Sequence, residues 1–315
     1  MSTRRSDFRI LATVALVVLG GAQSHAARPL EVFVSIAPQA FLVERLGGEH
    51  VAVHVLLGPG QSPHTFEPTP RHMAALGRAD LYFALGMPFE SQLVERIRAS
   101  RQRLTIVDMA RGIKKRKTAD HHEHEGDPPG PNSTQAEYRE QAKQGEAPEL
   151  DPHIWLSPVQ MKALAGNTAD ALQQSDPENA GDYGRSLEQF LKELEAVDAR
   201  IRRALGPFGG EAFYVYHPAF GYFADAYGLK QVPVEVGGKS PTPRQLTELV
   251  RKARSEKVKI IFVQPQFDQQ IAETVAAAIG GAVVPMDPLA KDVLSNLESM
   301  AASIERALTM QPAAE

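Results

Sequence analysis

Three histidines stand in three separate, proline-flanked stretches: His64 in SPHTFEP, His153 in DPHIW and His217 in YHPAF. A carboxylate, Asp287, occupies the same kind of setting in VPMDPL. Each lies where an extended, apolar segment gives way to a turn or helix. Three neutral imidazoles and one carboxylate form a complete tetrahedral donor set for a borderline-soft divalent cation such as Zn²⁺. Pro63, Pro152 and Pro218 restrict the backbone beside each ring, which suits a preformed site. A local metal motif of the H-E-x-x-H kind is absent, so spacing alone does not prove convergence. Each histidine taken singly also fits a polar residue bonded to nearby backbone.

The elements that must position these residues alternate along the chain. Strands are expected at residues 31–35, 51–57, 80–85 and 104–108, with helices at 38–46, 71–78 and 88–99. After a helix at about 158–174, Asp176-Pro177 opens a longer one. It carries Leu187, Phe190, Leu191, Leu194, Val197, Ile201 and Leu205 at helical intervals. A second series of alternating strands and helices follows, with strands at 212–216, 230–236, 259–263 and 282–285. Alternation of this kind argues for an α/β chain of two (β/α) lobes with parallel sheets, joined by one long helix. Ligands of open α/β sheets sit beyond the carboxyl ends of strands, which places the four donors in the cleft between lobes. The expected division is 1–26 signal peptide, 27–175 N-terminal lobe, 176–205 connecting helix and 206–315 C-terminal lobe.

Composition narrows the chemistry. The chain has 315 residues, 43% of them hydrophobic, enough for real cores, and a formal net charge of -4 that gives no electrostatic case for nucleic acid. It has no cysteine, so thiolate metal sites, disulfides, cysteine nucleophiles and an N-terminal lipidated cysteine are all excluded. Arg4, Arg5 and Arg9 precede an apolar run from Ile10 to Leu19 that is too short for a stable membrane span, and Ser24-His25-Ala26 offers a cleavage site. A cleavable signal peptide and a periplasmic location are expected. Residues 112–150 lack apolar periodicity and hold Lys114-Lys115-Arg116-Lys117 and then His121, His122 and His124 among acids, which reads as a loop able to hold a weaker, secondary zinc site.

Five segments in order, SIAPQAFLVERLGG, PGQSPHTFEPTP, DPHIWLSP, YHPAFGYFADAYGL and QPQFDQQIAETVAAAIGGAVVPMDPLA, resemble the metal-binding proteins of zinc and manganese ABC importers, the ZnuA-type group. The resemblance covers nearly all of the chain after the signal segment. It implies two lobes joined by a rigid helix, metal held between them as His64, His153, His217 and Asp287, and delivery to a membrane permease by a protein that is not an enzyme. Manganese-binding relatives usually place glutamate at the third ligand, where this chain has His217, and three imidazoles favour Zn²⁺. Several relatives carry a disulfide in the second lobe, which a chain without cysteine cannot form.

Around the set, Asp151 is expected to fix the tautomer of a ligand imidazole and Glu67 to approach the metal or orient a ring. His50, His54 and His72 read as surface or satisfied residues. Trp155, the single tryptophan, lies two residues from His153 and offers a fluorescence signal. The expected species is a monomer that captures Zn(II) with nanomolar or tighter affinity, about 12 kcal/mol or more. Affinity should fall as pH drops through the ordinary imidazole region near 6.5. The rivals are a Mn(II)/Fe(II)-binding transporter component and, from another class, a zinc-dependent hydrolase with water in the fourth position.

Overall fold

The computed structural model describes residues 28–100, 103–117, 150–235 and 241–310. The signal segment, His121, His122 and His124 lie outside the described residues.

Two four-stranded parallel sheets form the frame. The first holds β1 (Leu30–Val34), β2 (Val51–Val55), β3 (Leu81–Ala84) and β4 (Thr105–Asp108) in the order β2-β1-β3-β4. The second holds β5 (Ala212–Val215), β6 (Lys230–Pro233), β7 (Ile260–Val263) and β8 (Ala282–Pro285) in the matching order β6-β5-β7-β8. Helices α1 (Ala37–Gly47), α2 (Pro70–Leu76) and α3 (Glu90–Ala99) alternate with the first set, and α4 (Pro158–Ser175) follows it. Helices α6 (Gly221–Tyr227), α7 (Pro243–Ser255) and α8 (Gln270–Ile279) alternate with the second set, and α9 (Val293–Thr309) closes the described chain. Each sheet reverses its strand order beside its first strand, so both present a crevice at the carboxyl ends.

The connector is α5 (Ala180–Leu205), 26 residues and so about 39 Å long. The sequence places the start of this helix at Asp176-Pro177. In the structure Asp176 instead ends α4, and Pro177–Asn179 make a 3-10 turn before α5 begins. The Asp176 carboxylate accepts from Tyr183 Oη at 2.6 Å and Asn179 Nδ2 at 2.8 Å, bonds that hold it at the corner rather than in the helix. One stripe of α5, with Tyr183, Phe190, Leu194, Val197, Ile201 and Leu205, is buried. It packs on α1, α4 and α9, elements drawn from both halves of the chain. One apolar core therefore runs from Val32 through Phe190 to Ile304, and a smaller one fills the far side of the second sheet around Ile261 and Val275.

The second sheet has one tight junction. Gly280 ends α8 with φ of +65°, and the next residue is pressed against the backbone: a Cβ on Gly281 would lie 2.6 Å from the Lys259 carbonyl oxygen. That oxygen accepts from Ala282 N at 2.8 Å, the bond that leads β8 in beside β7. Gly281→Ala is expected to destabilise the protein by about 1–3 kcal/mol, because a backbone neighbour cannot move aside. Chemical denaturation of the two proteins checks this; equal midpoints would show that the junction has slack.

Candidate metal centre

The three histidines arrive from different elements and meet. His64 lies in the loop after β2, His153 immediately before a 3-10 turn at Ile154–Leu156, and His217 two residues beyond the inner strand β5. One ring nitrogen from each lies within 4.8 Å of the others. Ring centroids stand 4.6 Å apart for His64 and His217, 5.2 Å for His153 and His217, and 5.8 Å for His64 and His153. His153 and His217 are buried; His64 keeps part of its surface exposed while its ring is crowded against the other two.

Local sequence explains each placement. Pro63 and Phe66 are buried and anchor the loop on either side of His64, with Phe66 packed edge-on against Phe89 at 4.9 Å. The His64 backbone N–H donates to Ser62 Oγ at 3.3 Å. Asp151 holds His153 twice: its Oδ1 accepts from His153 N at 3.0 Å and Nδ1 at 2.8 Å. Trp155 packs beside the same imidazole at 5.3 Å. The sequence singled out Asp151 as a partner for a candidate ligand ring, and the structure places it in hydrogen-bond contact with His153.

Two partners of His217 escaped the sequence. Glu235, 3% exposed, accepts from His217 Nδ1 at 2.6 Å. Gln264, fully buried at the end of β7, accepts from the His217 backbone N–H at 3.1 Å and donates to its carbonyl at 2.7 Å, extending the sheet with a side chain. Phe267 stacks on the ring at 4.9 Å. The expected strand 230–236 ends at Pro233, and the Glu235 N–H turns to the Tyr216 carbonyl at 3.1 Å. An acid in the otherwise apolar run VPVEV, beside a strand end, was the available signal.

With Nδ1 donating to carboxylates on both buried histidines, Nε2 is the atom that keeps a lone pair for a cation. His217 Nε2 is buried and makes no hydrogen bond. An aqueous acceptor would ordinarily be paired, so this orphaned nitrogen fits a ligand. Charge is tuned the same way. Loss of water around His64 and repulsion by His217 and then His153 push its pKa down to about 3, with Asp151 opposing. Burial pulls His153 down as well, against the pull of Asp151. Rings kept neutral are rings able to ligate.

The other predicted residues stand apart from the three imidazoles. Asp287 lies in the turn after β8, outside their group. Its Oδ1 accepts from Gln266 Nε2 at 2.8 Å and from Leu289 N at 2.9 Å. It lines a cavity of about 330 Å³ with Gln266, Leu57 and the Gly58-Pro59-Gly60 turn. Trp155 Nε1 donates to the carbonyl of the adjacent Pro288 at 2.7 Å, so Asp287 is tied to the neighbourhood of His153. Glu67 is exposed and outside the imidazole group. His54 sits on the edge strand β2, bonded to Glu31 at 2.7 Å; His50 meets Asp182 at 3.2 Å, and His72 accepts from Thr69 N at 3.2 Å.

Replacement of Glu235 by glutamine keeps an acceptor but removes the carboxylate charge that faces the His217 ring. Zinc affinity is expected to fall about 10–100-fold, the usual effect of losing such a partner. Competition against a calibrated chelator checks this, and an affinity equal to that of the unaltered protein would reduce Glu235 to packing.

Comparisons with known proteins identify the family and the fold. A family profile described as "Zinc-uptake complex component A periplasmic" matches residues 32–307. The zinc-binding lipoprotein AdcA of Streptococcus pneumoniae is 25% identical over 283 residues, 88% of this chain and 52% of the relative; the chain thus spans about half the length of that protein. The high-affinity zinc uptake system protein ZnuA of Bacillus subtilis is 25% identical over 274 residues, 86% of this chain and 79% of the relative. Among solved structures, a zinc-bound ZnuA deletion mutant superimposes with a TM-score of 0.77 at 34% identity, covering 90% of this chain and 100% of that one.

Proposed function

The chain belongs to the family of periplasmic zinc-uptake components, and from that premise we propose that it captures Zn²⁺ outside the cytoplasm and hands it to the permease of an ABC importer. Zinc is the cargo, and no bond of a substrate is broken. The observation that carries the reading is the buried, unpartnered Nε2 of His217, aimed by Glu235 and set among two further imidazoles. Three nitrogen donors suit Zn²⁺ better than Mn²⁺, which prefers oxygen.

His64, His153 and His217 are the proposed ligands and Asp287 the proposed fourth. Support for Asp287 lies in its place at the carboxyl edge of the second sheet and in the Trp155–Pro288 bond beside it. A carboxylate in the fourth position leaves no site for an activated water, in keeping with binding rather than hydrolysis. His121, His122 and His124 are proposed as a weaker collecting site, and residues 1–26 as the export signal.

The test is a competitive titration of metal-free protein with Zn²⁺ and Mn²⁺, read by chelator absorbance and by Trp155 fluorescence. Tight zinc binding, little response to manganese and a large loss in His64→Ala are expected. Preferential retention of manganese would overturn the choice of cargo.

A further inference from the structure

Arg116 stands at the junction between the two halves of the molecule, outside the metal centre. Its backbone N–H donates to Tyr222 Oη at 2.9 Å, and its carbonyl accepts from Asp151 N at 2.9 Å. Tyr222 Oη in turn donates to the Asp151 carbonyl at 2.9 Å. The guanidinium lies between two carboxylates, with Nε 3.9 Å from Asp151 Oδ2 and Nη1 3.3 Å from Asp225 Oδ2. It also faces the Tyr222 ring at 5.8 Å. Tyr222 and Asp225 belong to α6 of the second lobe, whereas Arg116 follows the last strand of the first.

The seat of the guanidinium is specific. A Cβ placed on Gly221, the first residue of α6, would collide with Nη1 and Cζ of Arg116. Only a residue without a side chain lets the cation lie there, and Gly221 has an ordinary φ, so backbone freedom does not explain it. Asp151 then has a divided task. Its Oδ1 holds the His153 imidazole, and its Oδ2 faces Arg116. The carboxylate is 2% exposed, and a buried charge keeps its orientation when a fixed opposite charge faces it.

We propose that Arg116 is a positioning residue for metal retention: anchored on α6 at Gly221 and Asp225, it holds Asp151 in the orientation that locks His153, and so links the packing of the second lobe to the release of zinc. This rests on His153 being a zinc ligand. Partners one step beyond a metal ligand typically change affinity 10–100-fold, and Arg116 acts one step further out, so an effect near the lower bound is expected.

The experiment measures zinc dissociation from the loaded protein into excess chelator by stopped flow. Arg116→Ala is expected to release zinc about 10-fold faster. Arg116→Lys, which keeps the charge but cannot fork between two carboxylates, should fall between the two. Gly221→Ala displaces only the far end of a flexible side chain; it should reproduce the faster release with the fold intact, even where Arg116→Ala proves unstable. The decisive readout is coupling. On an Asp151→Asn background the Arg116 substitution should add little, because its route to the metal is already cut. Unchanged release in both Arg116→Ala and Gly221→Ala would overturn the proposal, as would a full effect of Arg116→Ala on the Asp151→Asn background. Unchanged zinc binding in His153→Ala would instead overturn the assignment of the ligand itself.

Discussion

Replacing His217 with alanine is expected to lower zinc affinity by at least about 100-fold. The expected nanomolar binding corresponds to about 12 kcal/mol, which shared among the four proposed donors gives about 3 kcal/mol, or about two orders of magnitude, for each. The loss should exceed that of Glu235→Gln, which leaves the nitrogen donor in place. A second effect follows from burial. Glu235 is 3% exposed and accepts from His217 Nδ1, so removing the ring leaves its buried carboxylate without that donor. A buried acceptor left unpaired typically costs about 1–3 kcal/mol. His217→Ala should therefore melt earlier even without zinc. In the double variant His217→Ala/Glu235→Gln, calorimetry should show recovered stability while chelator competition shows no recovered affinity. Zinc binding by His217→Ala within a few-fold of the unaltered protein would remove this residue from the ligand set.

The second large effect is on pH. The His64 pKa is pushed down from 6.5 to about 3 by loss of hydration and by the neighbouring rings, and burial moves His153 in the same direction. A depressed histidine pKa means that the unfolded chain binds protons that the folded chain refuses. Stability is then fully retained above 6.5 and falls as pH drops from there towards about 3. The metal-free protein should melt at progressively lower temperature between about pH 7 and about pH 5, with a smaller slope in His64→Ala. For zinc, proton competition at His64 moves below the ordinary imidazole range that the sequence suggests. A melting temperature in metal-free protein that rises on acidification across that range would contradict this account.

The three histidines that meet were legible because histidines beside prolines at the ends of apolar runs are rare enough to notice, and the (β/α) alternation that delivers them was legible from periodicity. What orients them was not. Glu235 falls in a run that alternates like a strand, and only the end of β6 at Pro233 turns its carboxylate towards His217. Gln264 sits in QPQ as an ordinary turn residue, yet it is buried and bonded twice to the His217 backbone. Both contacts span 18 residues or more, and pairings at such range depend on which strands lie side by side rather than on any local pattern. The same limit holds for Asp287. Its position after β8 was readable from sequence, but not its hydrogen bonds to Gln266 and Leu289 away from the imidazole group.

The continuous core along α5 has a consequence for anyone who would turn this protein into a biosensor. The two lobes share buried side chains with the connector, and Trp155–Pro288 and Lys291–Glu44 bonds stitch the cleft from opposite halves. A fluorophore pair placed one on each lobe, the usual layout for binding proteins that close like jaws, is expected to register only a small change in distance. The member of the triad that keeps exposed surface is His64, carried on the loop that Pro63 and Phe66 anchor. An environment-sensitive dye on that loop, a few residues from His64, is where a zinc signal should be read.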